Sequence, residues 1–115
     1  MIGGLAPSIL ITLFTLAVMA AMSAWTSRRL PPGPVPIHFD IRGRADRFGA
    51  RWIPLALLPL SYIPIAGLTI ALHIDAEPDR MRELFGGQLF MAVLIPAAHA
   101  LVMWLLLRWA RQQDR

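Results

Sequence analysis

Three stretches of this chain contain no Asp, Glu, Lys or Arg, and they limit its fold more than any other feature. They cover residues 1–27, 52–74 and 84–107 of a sequence of 115 residues. A membrane-spanning helix needs about 20 consecutive apolar residues, which each stretch supplies. A soluble chain this short has no interior large enough to bury all three. The sequence therefore predicts an all-α membrane protein with three transmembrane helices and an ordered, extended polar loop between the first two.

The predicted organisation is a single integral membrane domain over residues 1–115. Its parts are a first helix at about 6–25, a polar loop at 28–51, a second helix at about 53–74, an acidic loop at 75–83 and a third helix at about 85–109. Pro59 and Pro64 lie inside the second helix and predict kinks, because each removes a backbone donor. We expect Ser61 and Tyr62, between these prolines, to satisfy freed backbone groups.

Composition excludes several classes of function. The chain has no cysteine, so disulfides, thiolate metal sites and a Cys nucleophile are ruled out. All eleven basic residues are Arg, which suits bidentate contacts to phosphate but also follows from codon bias in a GC-rich genome. The positive-inside rule accounts for basic loops in a membrane protein, so we expect no nucleic-acid partner.

Arginine is unevenly distributed between the two sides of the predicted membrane. The polar loop and the C-terminal tail lie on one side and hold nine Arg, whereas the acidic loop on the other side holds two. The positive-inside rule places the nine-Arg side, and with it the polar loop, in the cytoplasm.

The polar loop has the pattern of an ordered segment rather than a tether. Four prolines fall within residues 30–36, which excludes a helix there. The next residues alternate with the period of two of an extended strand. The apolar face comprises Val35, Ile37, Phe39 and Ile41. The polar face comprises His38, Asp40 and Arg42.

Two glycines and an aspartate then predict how this strand ends. Gly43 permits a turn with positive φ, and we expect residues 44–47 to form that turn. Asp46 is placed to accept a hydrogen bond from backbone N–H groups or from an Arg. Gly49 then lets the chain turn into the second helix. These polar residues either contact a ligand or bond one another and fix the loop on the helix ends.

This loop resembles that of the small membrane domain at the N-terminus of SdpI-type bacterial immunity proteins, a domain of unknown function. The matching residues are Pro36, His38, Phe39, Asp40, Gly43, Asp46, Gly49 and Arg51, followed by Leu57, Leu58 and Pro59. The resemblance covers about the first two helices. It implies a multi-pass protein of the bacterial inner membrane, with immunity to a secreted toxic peptide or signalling as its role. Relatives often carry basic residues before the first helix, which places the motif loop outside, so both orientations stay open.

His99 is the ionisable group nearest the middle of a predicted span. Ionisable residues are costly inside a membrane, so each one is a candidate for a functional role. Two interpretations stay open: neutral His99 makes a structural hydrogen bond near the Ala92 carbonyl freed by Pro96, or it handles protons or a ligand.

Three classes of function follow from these features. The first is a non-enzymatic module that binds a peptide, a lipid or a partner chain through residues 35–49, with His38, Phe39, Asp40, Arg42, Gly43, Asp46, Gly49 and Arg51 as its binding motif. The second is an accessory subunit of a larger membrane complex or a small transporter component, indicated by the kinked second helix and by His99.

The third class, an enzyme or metal site, has the weakest support. His38 and Asp40 could ligate a metal, but metal sites usually need three or more ligands. No Ser-His-Asp order, phosphate loop or His-Glu-x-x-His pattern is present. We therefore expect no catalytic residues, no metal and no cofactor. The partners we expect are the lipid bilayer and a peptide or membrane protein, and a homo-oligomer is compatible with the sequence.

Overall fold

The computed structural model describes residues 2–113, with side chains from residue 5 onwards. Its elements, in order, are α1 (Ile2–Ser27), β1 (Val35–Phe39), β2 (Ala45–Gly49), α2 (Trp52–His73) and α3 (Pro78–Gln113). All three helices contain segments long and apolar enough to cross a membrane. The predicted all-α membrane fold with three such helices is confirmed, and the two strands add a small antiparallel hairpin. The chain has the architecture of a multi-pass membrane protein.

The acidic segment predicted as a loop over residues 75–83 is mostly helical. The connection after α2 ends early because Asp75 takes a positive φ of 61°, a conformation that Asp tolerates better than most residues. Pro78 then occupies the first position of α3, where its missing N–H costs nothing. Asp79 in the first turn suits the helix dipole and pairs with Arg82. The helix therefore begins at Pro78, before the apolar stretch.

The buried core is small and divided into two clusters. One cluster lies beside the hairpin and comprises Leu30, Val35, Met103, Leu106 and Ala110. The other lies between the helices and comprises Met19, Tyr62, Ala66 and Ile95. Many other large apolar side chains are exposed, as suits helices in lipid. Because lipid tails are as apolar as leucine, helix association depends on close packing and on buried polar contacts.

One partly buried polar contact joins all three helices. Pro59 has no N–H, so the carbonyl of Leu55, four residues earlier, lacks its usual helical donor. The Ser23 hydroxyl of α1 donates to that carbonyl over 2.6 Å. The same hydroxyl oxygen lies 2.8 Å from Nε2 of His99 in α3. A serine hydroxyl has one hydrogen, so Nε2 of neutral His99 must be the donor in this second bond.

The prolines are therefore accommodated differently from the sequence-based expectation. Ser61 donates to the Leu57 carbonyl of its own helix, and Leu57 is not a carbonyl freed by proline. The Tyr62 hydroxyl is buried and has no hydrogen-bond partner among the described residues. For the Leu55 carbonyl freed by Pro59, the donor is instead Ser23 of α1.

A second polar network joins the N-terminal parts of α1 and α3. The Ser8 hydroxyl donates to Oε1 of Gln88 over 2.7 Å. The Gln88 amide nitrogen donates to the Ser8 carbonyl and to the Thr12 hydroxyl, each over 3.0 Å. All three side chains are buried. Polar contacts of this kind supply interhelical energy where apolar burial supplies little.

We predict that Ser23→Ala lowers the free energy of unfolding by about 1 kcal/mol, because it leaves the Leu55 carbonyl and His99 without their partner. In a Pro59→Ala background the same substitution should cost less, since residue 59 then has an N–H for that carbonyl. A double-mutant cycle in mixed detergent micelles measures this coupling. Ser61→Ala, which removes a bond within one helix, is the control and should have a smaller effect. Equal losses from Ser23→Ala in both backgrounds would contradict the contact.

Candidate functional site

The polar loop is a β-hairpin docked on the ends of the helices. Val35 and Pro36 in β1 are fully buried. Val35 packs in the cluster that contains Leu106 and Ala110 of α3. Phe48 of β2 contacts Trp109 in a tilted arrangement with ring centroids 5.8 Å apart, a separation that aromatic pairs favour. The base of the hairpin is therefore fixed by packing.

Arg51 ties the hairpin to the end of α1. Its Nη1 donates to the Pro31 carbonyl over 2.6 Å, and its Nη2 donates to the Ser27 carbonyl over 2.8 Å. Ser27 is the last residue of α1, where carbonyls lack helical donors and the dipole attracts a cation. The side chain of Arg51 is thus engaged in holding the loop, rather than free for a ligand.

Asp40 closes the hairpin turn. Its Oδ1 accepts the backbone N–H groups of Arg42 and Arg44, each over 2.9 Å. The backbone N–H of Gly43 donates to the Asp40 carbonyl, and Gly43 has a φ of 79°, which glycine adopts without strain. The N–H of Arg44 is the main cause that lowers the pKa of Asp40 below its ordinary value of 3.8.

Two details of the predicted loop are wrong. The turn lies over residues 40–44, not 44–47, because Asp40 accepts the N–H groups of Arg42 and Arg44 and Gly43 reverses the chain. Residues 45–49, expected to include that turn, form β2. The strict alternation also fails, since register shifts interrupt β1 on both sides of His38. Ile37 and Ile41, predicted on the apolar face, are exposed, and Pro36 between Val35 and Ile37 is buried.

His38 and Asp46 form a pair across the two strands. Nδ1 of His38 lies 2.6 Å from Oδ1 of Asp46, with side chains 61% and 44% exposed. Asp46 therefore meets a side chain of the facing strand rather than the turn backbone or an Arg. Among the described residues no group of three or more His, Cys, Asp or Glu side chains lies close enough to hold a metal ion. His38 and Asp46 stand as an exposed pair.

Gly49 has a packing reason for being glycine. A Cβ atom at this position would lie 3.1 Å from two side-chain carbons of Ile37 on the facing strand. Such a separation is tighter than side chains normally accept. Phe39, the remaining motif residue, is half-buried and packs against the cluster around Val35.

The motif residues thus have two kinds of position. Arg51, Gly43, Gly49, Asp40 and Phe39 are engaged in building and docking the hairpin. His38 and Asp46 are paired but exposed. For Arg42 and Arg47, both exposed, no side-chain hydrogen bond or ion pair is found within residues 5–113.

His99 lies apart from this surface. It is fully buried between the helices and contacts Ser23, rather than a group freed by Pro96. Its Nδ1 is buried and has no hydrogen-bond partner among the described residues. This position favours the structural interpretation of its Nε2 bond, and the chain brings no hairpin side chain into hydrogen-bond contact with it.

Sequence reasoning missed two buried polar groups. Gln88 forms the network with Ser8 and Thr12, and an amide within an apolar span was a usable signal. His73 is buried at the end of α2, where its Nδ1 donates to the Thr69 carbonyl over 2.8 Å. No sequence pattern separates such a residue from an interfacial histidine.

Residues 10–63 match a family model described as Domain of unknown function (DUF1648). The match covers most of α1, the whole hairpin and the first half of α2, which is the part on which the resemblance of the loop rests. Searches among curated proteins and solved structures find no match. The description of this family names no activity, so function has to be argued from the hairpin itself.

We predict that acid loosens the hairpin through Asp40. Its pKa is lowered in the folded protein, so the carboxylate stabilises the turn fully above pH 3.8, and this contribution is lost as the pH falls through the lower, folded value. A nitroxide on a single cysteine at position 41 should become more mobile in that range. Asp40→Asn retains an acceptor oxygen and should remove the transition, whereas Asp40→Ala should raise mobility at every pH. A transition that persists in Asp40→Asn would contradict the assignment.

Proposed function

We propose that the protein is a non-enzymatic recognition module of the bacterial inner membrane, which binds a polypeptide ligand through the hairpin at residues 35–49. The observation that carries this proposal is the composition of the exposed hairpin surface. Both of its acidic groups are engaged by partners inside the hairpin, while the side chains of Arg42, Arg47 and Ile41 are exposed.

The charge of this surface favours an acidic ligand. Asp40 is partly neutralised by two backbone N–H groups and by Arg44, whose Nε lies 3.6 Å from Oδ2. Asp46 is paired with His38. The outward field is therefore dominated by arginine, which forms strong bidentate contacts with carboxylates.

The hairpin also has the rigidity that recognition needs. Its base is packed against α3, Arg51 bonds it to the end of α1, and Asp40 closes its turn. Exposed groups held on a rigid support lose little conformational entropy when a ligand binds. The exposed Ile41 then offers an apolar contact next to the charge of Arg42, which suits an amphipathic segment.

The resemblance of the loop to SdpI-type immunity proteins supports one version of this proposal. In that version the ligand is a secreted, membrane-active peptide, and its capture at the membrane surface protects the cell. The family match over residues 10–63 includes the hairpin and its two flanking helices, which is compatible with this version.

We predict that bacteria expressing the protein survive challenge by membrane-active acidic peptides better than cells without it. The double variant Arg42→Gln and Arg47→Gln should abolish this protection, because it removes the unpaired charges of the hairpin. Arg80→Gln with Arg82→Gln, an equal loss of charge at the other end of the bundle, should protect like the unmodified chain. Protection that survives the hairpin substitutions would exclude the hairpin as the recognition element, and a lack of protection by the unmodified chain would exclude the immunity version.

A second candidate function is an accessory subunit of a larger membrane complex. The observation that favours it is the low burial of α2. In its apolar 18-residue segment 11% of the residues are buried, against 22% in the corresponding segments of α1 and α3. Large apolar side chains along α2, including Leu60 and Leu68, are exposed. In this reading another membrane chain packs on that face.

Cross-linking in intact cells separates these two functions. A photoreactive amino acid at position 41 should yield cross-links to a polypeptide if the hairpin recognises one, and Arg42→Gln with Arg47→Gln should reduce the yield. The same group at position 60 or 68 should yield a defined protein adduct only if α2 docks on a partner. Adducts from α2 alone, none from position 41, would favour the subunit role over hairpin recognition.

A further inference from the structure

A groove runs between α1 and α3. It has a volume of about 550 Å³ and is lined by apolar side chains that include Val18, Ala21, Trp25, Ala100, Trp104 and Leu107. Ala21, Trp25, Ala100 and Trp104 are exposed in the single chain. The volume lies within the range of about 300–1,000 Å³ that small-molecule sites occupy.

The groove continues into a second, cationic cavity towards the C-terminal ends of both helices. This cavity has a volume of about 350 Å³ and shares Trp25 and Leu107 with the first, while Arg29 and Arg111 line its outer part. The Arg29 guanidinium lies 3.7 Å from the centre of the Trp25 ring and donates to the Trp25 carbonyl over 3.0 Å. Stacking on indole leaves several guanidinium N–H groups free for an anion.

The length of the groove matches one leaflet of a bilayer. Val18 and Arg29 are eleven residues apart on the α1 side, and Ala100 and Arg111 are eleven apart on the α3 side. At 1.5 Å per helical residue this span is about 16 Å. Half of the hydrocarbon core is about 15 Å thick. An acyl chain beginning at the arginines would therefore end near the middle of the membrane.

We propose that the groove binds an anionic phospholipid, with an acyl chain along its apolar part and the phosphate beside Arg29 and Arg111. The combination of an apolar trough one leaflet long with two cations at its outer end fits an amphiphile of that charge. An apolar helix would fill the trough but would supply no anion beside Arg29 and Arg111.

This site adjoins the base of the hairpin through Met103 and Ala110, which pack in the cluster that contains Val35, but it does not use the exposed hairpin residues. The tip of the hairpin approaches α3 at Leu105 and Arg108, and Phe48 contacts Trp109. The groove uses other positions of the same helix, Ala100, Trp104 and Leu107 among them. Failure of one proposal therefore leaves the other standing.

Tryptophan quenching by brominated lipids tests the proposal. The chain keeps Trp25 and Trp104 in the groove, while Trp52→Phe and Trp109→Phe remove the other two fluorophores. In vesicles of phosphatidylcholine, a small fraction of brominated phosphatidylglycerol should quench more strongly than the same fraction of brominated phosphatidylcholine. Two arginines near the phosphate predict an apparent preference of about 5- to 30-fold for the anionic lipid.

Three variants show whether the groove causes this preference. Arg29→Gln with Arg111→Gln should reduce it to nearly one, whereas Arg42→Gln with Arg47→Gln, an equal charge loss in the hairpin, should leave it unchanged. Ala100→Phe fills the trough and should weaken quenching even with both arginines present. Equal effects of the two arginine pairs would show general surface attraction and overturn the proposal. So would weak quenching by both lipids together with energy transfer between labelled copies, which would identify a second chain as the occupant.

Discussion

The bond from the Ser23 hydroxyl to the Leu55 carbonyl decides how the three helices meet. A proline inside a membrane helix leaves a carbonyl that water cannot reach, so another group of the protein must satisfy it. Here that group belongs to α1, and the same oxygen accepts the Nε2–H of His99 from α3. One hydroxyl thus fixes the rotation of three helices about their axes, in a bundle whose apolar surfaces gain little from contacting one another rather than lipid.

The orientation of the helices in turn determines what their C-terminal ends present. With α1 and α3 side by side, Arg51 can reach the last carbonyl of α1 while the hairpin packs on α3. The same arrangement opens the groove that ends at Arg29 and Arg111. Five arginines of this end therefore have three kinds of surroundings: Arg51 holds the loop, Arg42 and Arg47 are exposed on the hairpin, and Arg29 and Arg111 line the outer end of the groove.

The hairpin illustrates why local patterns predicted an ordered, extended loop but neither its second strand nor its surface. Period-two alternation, prolines and Gly43 correctly indicated an ordered, extended segment with a turn of positive φ. They did not reveal that Asp40 would capture two N–H groups and close the turn early, because several Asp and Gly residues offered competing turns of similar local energy. In the resulting register His38 lies opposite Arg47 while its ring contacts Asp46, the residue before, and Ile41 falls in the exposed turn. Each of these outcomes depends on which residues face one another across the strands.

The sequence by itself determined the three spans, since the absence of charge over about 20 residues leaves a helix in lipid as the one way to satisfy the backbone. It also determined that the segment after α1 is ordered. Only the tertiary structure decided that Ser23 rather than Ser61 serves the freed carbonyl, that Gln88 is buried against Ser8 and that α3 begins at Pro78. Hydrogen bonds between helices depend on axial rotation and crossing position, which residue spacing within one helix does not specify.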